Sequence, residues 1–349
     1  MTADRVLTSF EDQAQSCDRL GSPFTARLLR VLTTQLRLGG AVADRVLGWQ
    51  GDPSAVADAV ALRLVGGLHA LVLAGQDADL AAVYADPAAD DAELGVKTGN
   101  ALNVHAIFLL EWLKSPPQTN EVRRSIALIA AGHWLTSQYQ LPLRLSELGA
   151  SAGLILLWDQ YALDIGGQIY GPADAVLTLT PDWQGDVPPR STPVIAARSG
   201  VDLKPLDPVY DRLRCLAYIW ADQKDRLLRT ETALSLAARL RPQIARSDAI
   251  DWLEGQLAVP SPGVMHLVYH TVAWQYFPSD HQARGEAALQ AAGSRATKSA
   301  PLAHLAMEAD DTPGSAALIL RIWPEGRVIQ LGRVDFHGRW IRWDAPALL

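Results

Sequence analysis

Leu145-Ser146-Glu147-Leu148-Gly149-Ala150-Ser151-Ala152-Gly153 is the stretch from which the fold is read. Apolar and polar residues alternate over Leu143–Leu148, the period-two pattern of a strand. Gly149 permits a tight turn, and Ala150, Ser151 and Ala152 add almost no bulk, so a ligand meets little obstruction at the backbone. A helix over Leu154–Leu163 is expected to leave the turn. Amides at the start of such a helix suit a carboxylate or phosphate.

Outward from this corner the pattern alternates between strand and helix. Strands are expected at Val194–Asp202, Gln243–Ser247, Val264–Tyr269 and Leu302–Met307. Helices are expected at Asp207–Ile219, Lys224–Leu240, Ala249–Leu257 and Ser279–Gly293, with an insertion, read as a β-hairpin, at Gly166–Asp186. Ala316–Trp323, Arg327–Asp335 and Arg339–Trp343 finish as antiparallel strands around Pro324-Glu325-Gly326 and His337-Gly338. Upstream, residues 1–115 read as helix throughout, broken at Gly21-Ser22-Pro23, at Asp52-Pro53-Ser54 before a helix over Ala55–Ala74, and at Gly75. Ser115-Pro116-Pro117 ends that region, and Thr119 or Asn120 is expected to cap a helix reaching Tyr139. The expectation is an all-α N-terminal domain over 1–115, then an α/β domain over 116–349. That second domain follows the Rossmann-like, seven-stranded mixed sheet of class I methyltransferases.

Composition sets outer limits. With 349 residues, 49% apolar and 20% charged, the chain is neither disordered nor low-complexity. A formal charge of −7 gives no global pull on nucleic acid or anionic membrane. Cys17 and Cys215, the two cysteines, build no disulfide framework or thiolate zinc site, which points to the cytoplasm. The opening MTADRVLTSF lacks the apolar core of a signal peptide, and the apolar run Ala59–Ala74 is broken by Arg63, Gly66, Gly67 and His69. His105 and His133 stand alone on apolar helices and read as core, so no metal site is expected. The eleven tryptophans read as packing positions.

Three ligand chemistries compete at the corner. S-adenosylmethionine binding wants acid-x-Gly-x-Gly-x-Gly. The chain offers Glu147-x-Gly149-x-Ser151-x-Gly153, with Ser151 in place of the middle glycine. A nucleophile elbow reads Gly149-x-Ser151-x-Gly153, with Asp202 or Asp248 and then His270 in triad order, but the helical first 140 residues leave no strands ahead of it. A dinucleotide fingerprint is the weakest match, because Ser151 takes its second glycine. Asp202, closing the second strand, suits ribose hydroxyls. It lies 53 residues beyond Gly149, and the Gly166–Asp186 insertion has to absorb the excess. Asp248, after the third strand, suits an adenine amino group or simply caps the next helix. His270, at the end of the fourth strand, is either a base or a buried structural histidine, with Trp274 and Tyr276 beside it.

Several runs together resemble the DUF2332 family. They are Pro117-Gln118-Thr119-Asn120-Glu121-Val122-x-Arg124-Ser125, Glu147 to Leu154, Gly200-Val201-Asp202-Leu203-Lys204-Pro205-Leu206-Asp207, Trp220-x-Asp222-Gln223, His270-x-Val272-x-Trp274-Gln275-Tyr276 and His337-Gly338-Arg339-Trp340. The resemblance covers almost the whole chain. It implies an N-terminal helical region and a methyltransferase-like Rossmann domain, and assigns no activity. Family members tend to carry Asn where this chain has Ile155, one polar group fewer beside the loop. The resemblance also puts Asn120 and Glu121 beside the amino-acid end of a cofactor.

The expectation is therefore S-adenosylmethionine-dependent methyl transfer to an unknown small molecule. Glu147, Gly149, Ser151, Gly153, Asp202 and Asp248 would hold the cofactor, with His270, Asn120 and Glu121 at the reaction. The alternatives are a serine hydrolase using Ser151 and a non-catalytic ligand-binding or interaction protein of the same fold. Neither nucleic acid nor membrane is expected as a partner, and the sequence leaves the oligomeric state open.

Overall fold

The computed structural model describes residues 2–118 and 120–347. The chain divides into two units, Met1–Thr119 with Tyr210–Glu231, and Asn120–Val209 with Thr232–Leu349.

The first unit is helical. Its N-terminal part contains α1 (Thr2–Arg19), α2 (Pro23–Gln35), α3 (Ala41–Leu47), α4 (Val60–Leu73), α5 (Ala78–Ala85), α6 (Asp91–Val104) and α7 (Ala106–Trp112). α1 buries Val6, Phe10, Ala14 and Cys17, one stripe at helical spacing. Pro23 opens α2, as expected. The missing cap there comes from far along the chain: the Ser22 hydroxyl and the Phe24 N–H both donate to Asp222. Apolar burial against α4 by Ala217 and Tyr218 likewise brings the segment 210–231 back to these helices. Gly66 makes this approach close, since a Cβ there would sit 2.6 Å from the Tyr218 ring. α4 starts at Val60, five residues later than expected, because residues 54–59 close turns on the Ser54 carbonyl. Among the described residues no helix is long and apolar enough to cross a membrane.

The second unit is built on a nine-stranded sheet. After α8 (Ser125–Tyr139) come β1 (Leu143–Leu148), β2 (Ala162–Ile165), β3 (Gln168–Tyr170), β4 (Thr178–Leu179), β5 (Asp182–Gly185) and β6 (Ile195–Asp202). Then follow α9 (Arg212–Ala217), which belongs to the first unit, α10 (Lys224–Leu240), which passes from the first unit to the second after Glu231, β7 (Ile244–Arg246), α11 (Ala249–Leu257), β8 (Met265–Thr271) and α12 (Ser279–Gly293). β9 (Leu302–Ala309), β10 (Ala316–Trp323), β11 (Arg327–Val334) and β12 (Trp340–Trp343) complete the chain. The order across the sheet is β5-β12-β11-β10-β9-β8-β1-β6-β7. β7, β6, β1, β8 and β9 are mutually parallel, and β9 to β12 form an antiparallel meander. The chain reverses direction across the sheet at β1, so β1 and β8 flank a switch point, where ligands gather at the carboxyl ends of strands.

Three expectations are corrected. The main sheet has nine strands, not seven. The insertion after β1 does more than make a hairpin: it forms a small β3-β2-β4 sheet and sends β5 to pair with the exposed edge of β12. No α-helix follows the corner either. Ile155–Gln160 is a 3₁₀ segment, and β2 begins at Ala162. Leu154 to Trp158 are buried on every side, so no exposed face exists on which an amphipathic helix would turn. The Tyr161 hydroxyl closes this plug by donating to the Leu154 carbonyl at 2.8 Å.

α11 and α12 cover one face of the sheet through Ile250, Leu253 and Leu289, packed on Leu148, Val201 and Val268. On the other face Arg198 of β6 holds the 3₁₀ segment, bonding Asp159 through both terminal nitrogens and the Leu156 carbonyl.

Candidate functional site

Glu147, Ser151, Asp202 and Asn120 are brought together at the carboxyl ends of β1 and β6. β1 ends in Glu147 and Leu148, and Gly149 turns out of the sheet exposed, with φ +74°. Its open Cα face is bounded by Ala273, whose Cβ would lie 2.8 Å from a Cβ on Gly149. Ser151 follows at φ +52°, and Val272, just past β8, at φ +53°. For a β-branched residue that is a strained backbone, and such strain concentrates at ligand and catalytic sites.

Glu147 and Tyr269 are register partners on adjacent strands, joined by a 3.4 Å hydrogen bond from the phenol to Oε2. Glu147 is 2% exposed. Burial pushes its carboxyl well above the ordinary value, and the Tyr269 bond offsets only part of that. Asp202, at the end of β6, accepts the Ser151 N–H on Oδ2 (2.9 Å) and the Lys204 N–H on Oδ1 (2.8 Å). Asp248, beyond β7, caps α11 by accepting the Ile250 and Asp251 N–H groups on Oδ1, while Oδ2 faces His281 Nε2 at 3.9 Å. Asn120 Nδ2 donates to the Ala150 carbonyl at 3.1 Å, so the segment before α8 does reach the corner. Glu121 is buried and caps a 3₁₀ turn over Val122–Arg124 by accepting the Arg123 N–H. Thr119, the other expected cap, lies outside the described residues.

The corner's amides are largely spent. Gly149 and Ala150 both donate to the Val201 carbonyl, Ser151 to Asp202, and Gly153 to the Ala150 carbonyl. Gly153 serves packing: a Cβ there would meet Pro242 and Ile244.

His270 stands differently from a free base. It is 2% exposed, stacked 4.9 Å from Trp274, and both ring nitrogens are engaged. Nδ1 faces Glu308 Oε1 at 2.6 Å and Nε2 faces His304 Nε2 at 3.0 Å. The guanidinium of Arg321, which only donates, reaches His304 Nδ1 at 2.9 Å and pairs with Glu286. Donor logic then fixes both tautomers: His304 donates through Nε2 to His270, and His270 donates through Nδ1 to Glu308. Burial, then His270 and Arg321, hold His304 well below its ordinary pKa, so it stays neutral. Glu308 Oε1 also accepts the Ala273 and Trp274 N–H groups at 2.9 and 3.0 Å. Burial pushes that carboxyl up, but the His270 and amide bonds outweigh it and leave it below the ordinary value. The relay therefore anchors the strained turn that bounds Gly149.

A family model described as an uncharacterized protein conserved in bacteria, DUF2332, matches residues 8–343. The chain belongs to the DUF2332 family. No curated protein and no solved structure matches it. In this DUF2332 chain the quoted motifs divide between architecture and site. Asp222 of the Trp220 run caps α2, and Asp335 gathers the His337 and Arg339 N–H groups and the Arg339 guanidinium. The Pro117, Glu147, Gly200 and His270 runs converge on the switch point.

Sequence reasoning missed Arg124, Tyr269, His304, Glu308 and Arg321. Arg124 ties its 3₁₀ turn to the Thr271 carbonyl (2.9 Å) and the Phe336 carbonyl (2.8 Å). One signal was present for the relay: His304, Ala306 and Glu308 share a strand face, and Glu308 lies at a carboxyl end. Nothing local marks Arg321, which arrives from the antiparallel part of the sheet. Among the described residues no group of three or more His, Cys, Asp or Glu is placed to hold a metal ion.

Proposed function

We propose that the second unit binds S-adenosylmethionine along the carboxyl edge of its parallel strands and transfers the methyl group to a small acceptor. The observation that carries this reading is one acid at the end of each of three adjacent strands: Glu147 on β1, Asp202 on β6 and Asp248 just past β7, beside the exposed turn at Gly149. An adenosyl amino acid has three polar parts along its length. Its amino-acid end would lie at Glu147 and Gly149. The ribose hydroxyls would meet Asp202, whose Oδ2 accepts the Ser151 N–H and Oδ1 the Lys204 N–H, each carboxylate oxygen having room for a further donor. The adenine amino group would meet Asp248 Oδ2, which the helix cap leaves over.

The same residues fit a dinucleotide poorly. A pyrophosphate needs free amides at a helix start, whereas here the Gly149, Ala150 and Ser151 amides are spent and no α-helix follows. Bound S-adenosylmethionine supplies a methyl group already activated on a sulfonium. The chain's share is to hold that group in line with the acceptor and exclude water. His270, with both nitrogens engaged, acts by positioning the Ala273–Trp274 turn through Glu308. That suits acceptors needing no strong base. Both cysteines are buried free thiols, which supports a reducing, cytoplasmic setting.

Titration calorimetry with S-adenosylhomocysteine tests the assignment. Asp248→Ser keeps the helix cap and removes the adenine acceptor, and should weaken binding about tenfold. Absence of binding, or identical binding by this variant, contradicts it.

The hydrolase reading rests on the left-handed Ser151 at a strand-end turn. It is the weaker one, because Ser151 is 6% exposed and His270 is committed to Glu308 and His304. Ser151→Ala abolishes ester hydrolysis if that reading holds. Tight adenosyl binding without turnover on any acceptor would favour the non-catalytic one.

A further inference from the structure

A cavity of about 170 Å³ lies on the second unit beneath the small β3-β2-β4 sheet, beside the approach to the amino end of β6. The lining residues Ser191, Thr192 and Pro193 lead into the amino end of that strand, and none of the acids described above lines the cavity. Its floor is buried (Ile129, Trp158 and Tyr161), and exposed Gly171 and Thr192 stand at its rim. We infer that this cavity is a second binding site, for a small, flat, uncharged ring compound bearing a carbonyl-type acceptor.

Three observations converge on that chemistry. The first is an orphan donor. Trp158 is 1% exposed, and its indole Nε1–H is buried with no hydrogen-bond partner among the described residues. A buried N–H without an acceptor is destabilising, and a ligand oxygen offsets the loss. The second is His133, also buried. Its Nδ1 faces the Ser191 N–H and hydroxyl at 3.4 Å, and that hydroxyl donates to the His133 carbonyl at 2.7 Å. With Nδ1 accepting, the ring proton sits on Nε2, a second donor. Burial lowers the His133 pKa to about 4, so the ring carries no charge near neutrality.

The third is charge balance. Asp159, the one carboxylate among the lining residues, is held by Arg198 in a bidentate pair at 2.5 and 2.8 Å. The lining therefore offers no unbalanced charge, and an ion would lose its hydration with nothing in return. For scale, an apolar cavity of about 150 Å³ takes a benzene ring. A cavity of about 170 Å³ walled by Trp158, Tyr161 and His133 fits one ring with a small polar substituent.

Benzamide is the probe, with benzoate as its charged counterpart of the same shape. Calorimetry on the full chain should show saturable benzamide binding with a dissociation constant near or below roughly a millimolar, and far weaker benzoate binding. Trp158→Phe keeps the ring and removes the N–H, and should weaken benzamide about tenfold. Because that position is in the core, Thr192→Trp, at an exposed rim position, gives an independent block and should also remove binding. Saturating S-adenosylhomocysteine should leave the benzamide isotherm unchanged, which separates this site from the proposed adenosyl site whether or not the latter binds. No saturable benzamide binding, equal binding of benzoate, or full binding by both variants would overturn the inference.

Discussion

Burial holds the Glu147 carboxyl well above its ordinary pKa at the spot where, on the proposed function, the ammonium of an adenosyl amino acid would arrive. A cation at that spot favours the ionised form, so binding should release a proton. The sign follows directly: affinity for S-adenosylhomocysteine should rise with pH until the free protein's Glu147 itself ionises. Calorimetry in two buffers of different ionisation enthalpy measures the released proton. Methylthioadenosine, which lacks the ammonium, should release none, and Glu147→Gln should flatten the dependence. Gly149 is the second residue on which the site turns. Ala there adopts φ +74° with its Cβ 2.8 Å from that of Ala273, so Gly149→Ala should cost about 1–3 kcal/mol in denaturant unfolding and weaken the ligand with it. At this scale the sequence was informative where chemistry is local. Glu147, Gly149, Ser151, Asp202 and Asn120 do gather at one corner. The raised pKa of Glu147 was not legible, because it depends on burial beside Tyr269, a residue of another strand.

Elements whose faces alternate were legible, and those made by burial on all sides were not. α10, α11, α12, β1 and β10 occupy the residues expected of them. The helix expected over Leu154–Leu163 is a 3₁₀ plug and a strand, since a run buried all round carries no period to read. His270 shows the same limit. Its place at a strand end suggested a base, yet its role is decided by Glu308 and His304 on β9 and by Arg321 on β10. Glu308→Leu should therefore leave the His270, Ala273 and Trp274 N–H groups unsatisfied together, and cost on the order of 3 kcal/mol or more in urea unfolding. Because these groups anchor the turn beside Gly149, ligand affinity should fall in parallel; a loss of stability with unchanged affinity would detach the relay from the site.

Across the second unit, buried histidines set the response to acid. Burial depresses His133 to about 4 and His266 to about 3, and holds His304 well below its ordinary value. Each takes up a proton on unfolding below about pH 6.5, so the stability they permit is present above that pH and is lost on acidification. Glu147, with its raised pKa, works the other way above its ordinary value of 4.5. The net expectation is a loss of stability as the pH falls from about 6.5 to 4.5, measured by urea unfolding at several pH values. His133→Phe should flatten it by about one proton. The parallel strands and the N-terminal helices were legible at this scale from period and punctuation. The ninth strand and the return of 210–231 to the helical unit were not, because both are decided by partners far along the chain: the edge of β12 and the start of α2.

Thermal unfolding with S-adenosylmethionine, S-adenosylhomocysteine and NAD decides whether the second unit binds an adenosyl amino acid. Ligand at about a hundred times its dissociation constant adds ~2.7 kcal/mol, which at ~2–4 °C per kcal/mol is a shift of about 5–11 °C. That shift is expected with the two adenosyl amino acids and none with NAD, whose pyrophosphate finds the corner's amides already used. No shift with either adenosyl ligand at millimolar concentration, or a shift with NAD alone, would contradict the proposed function.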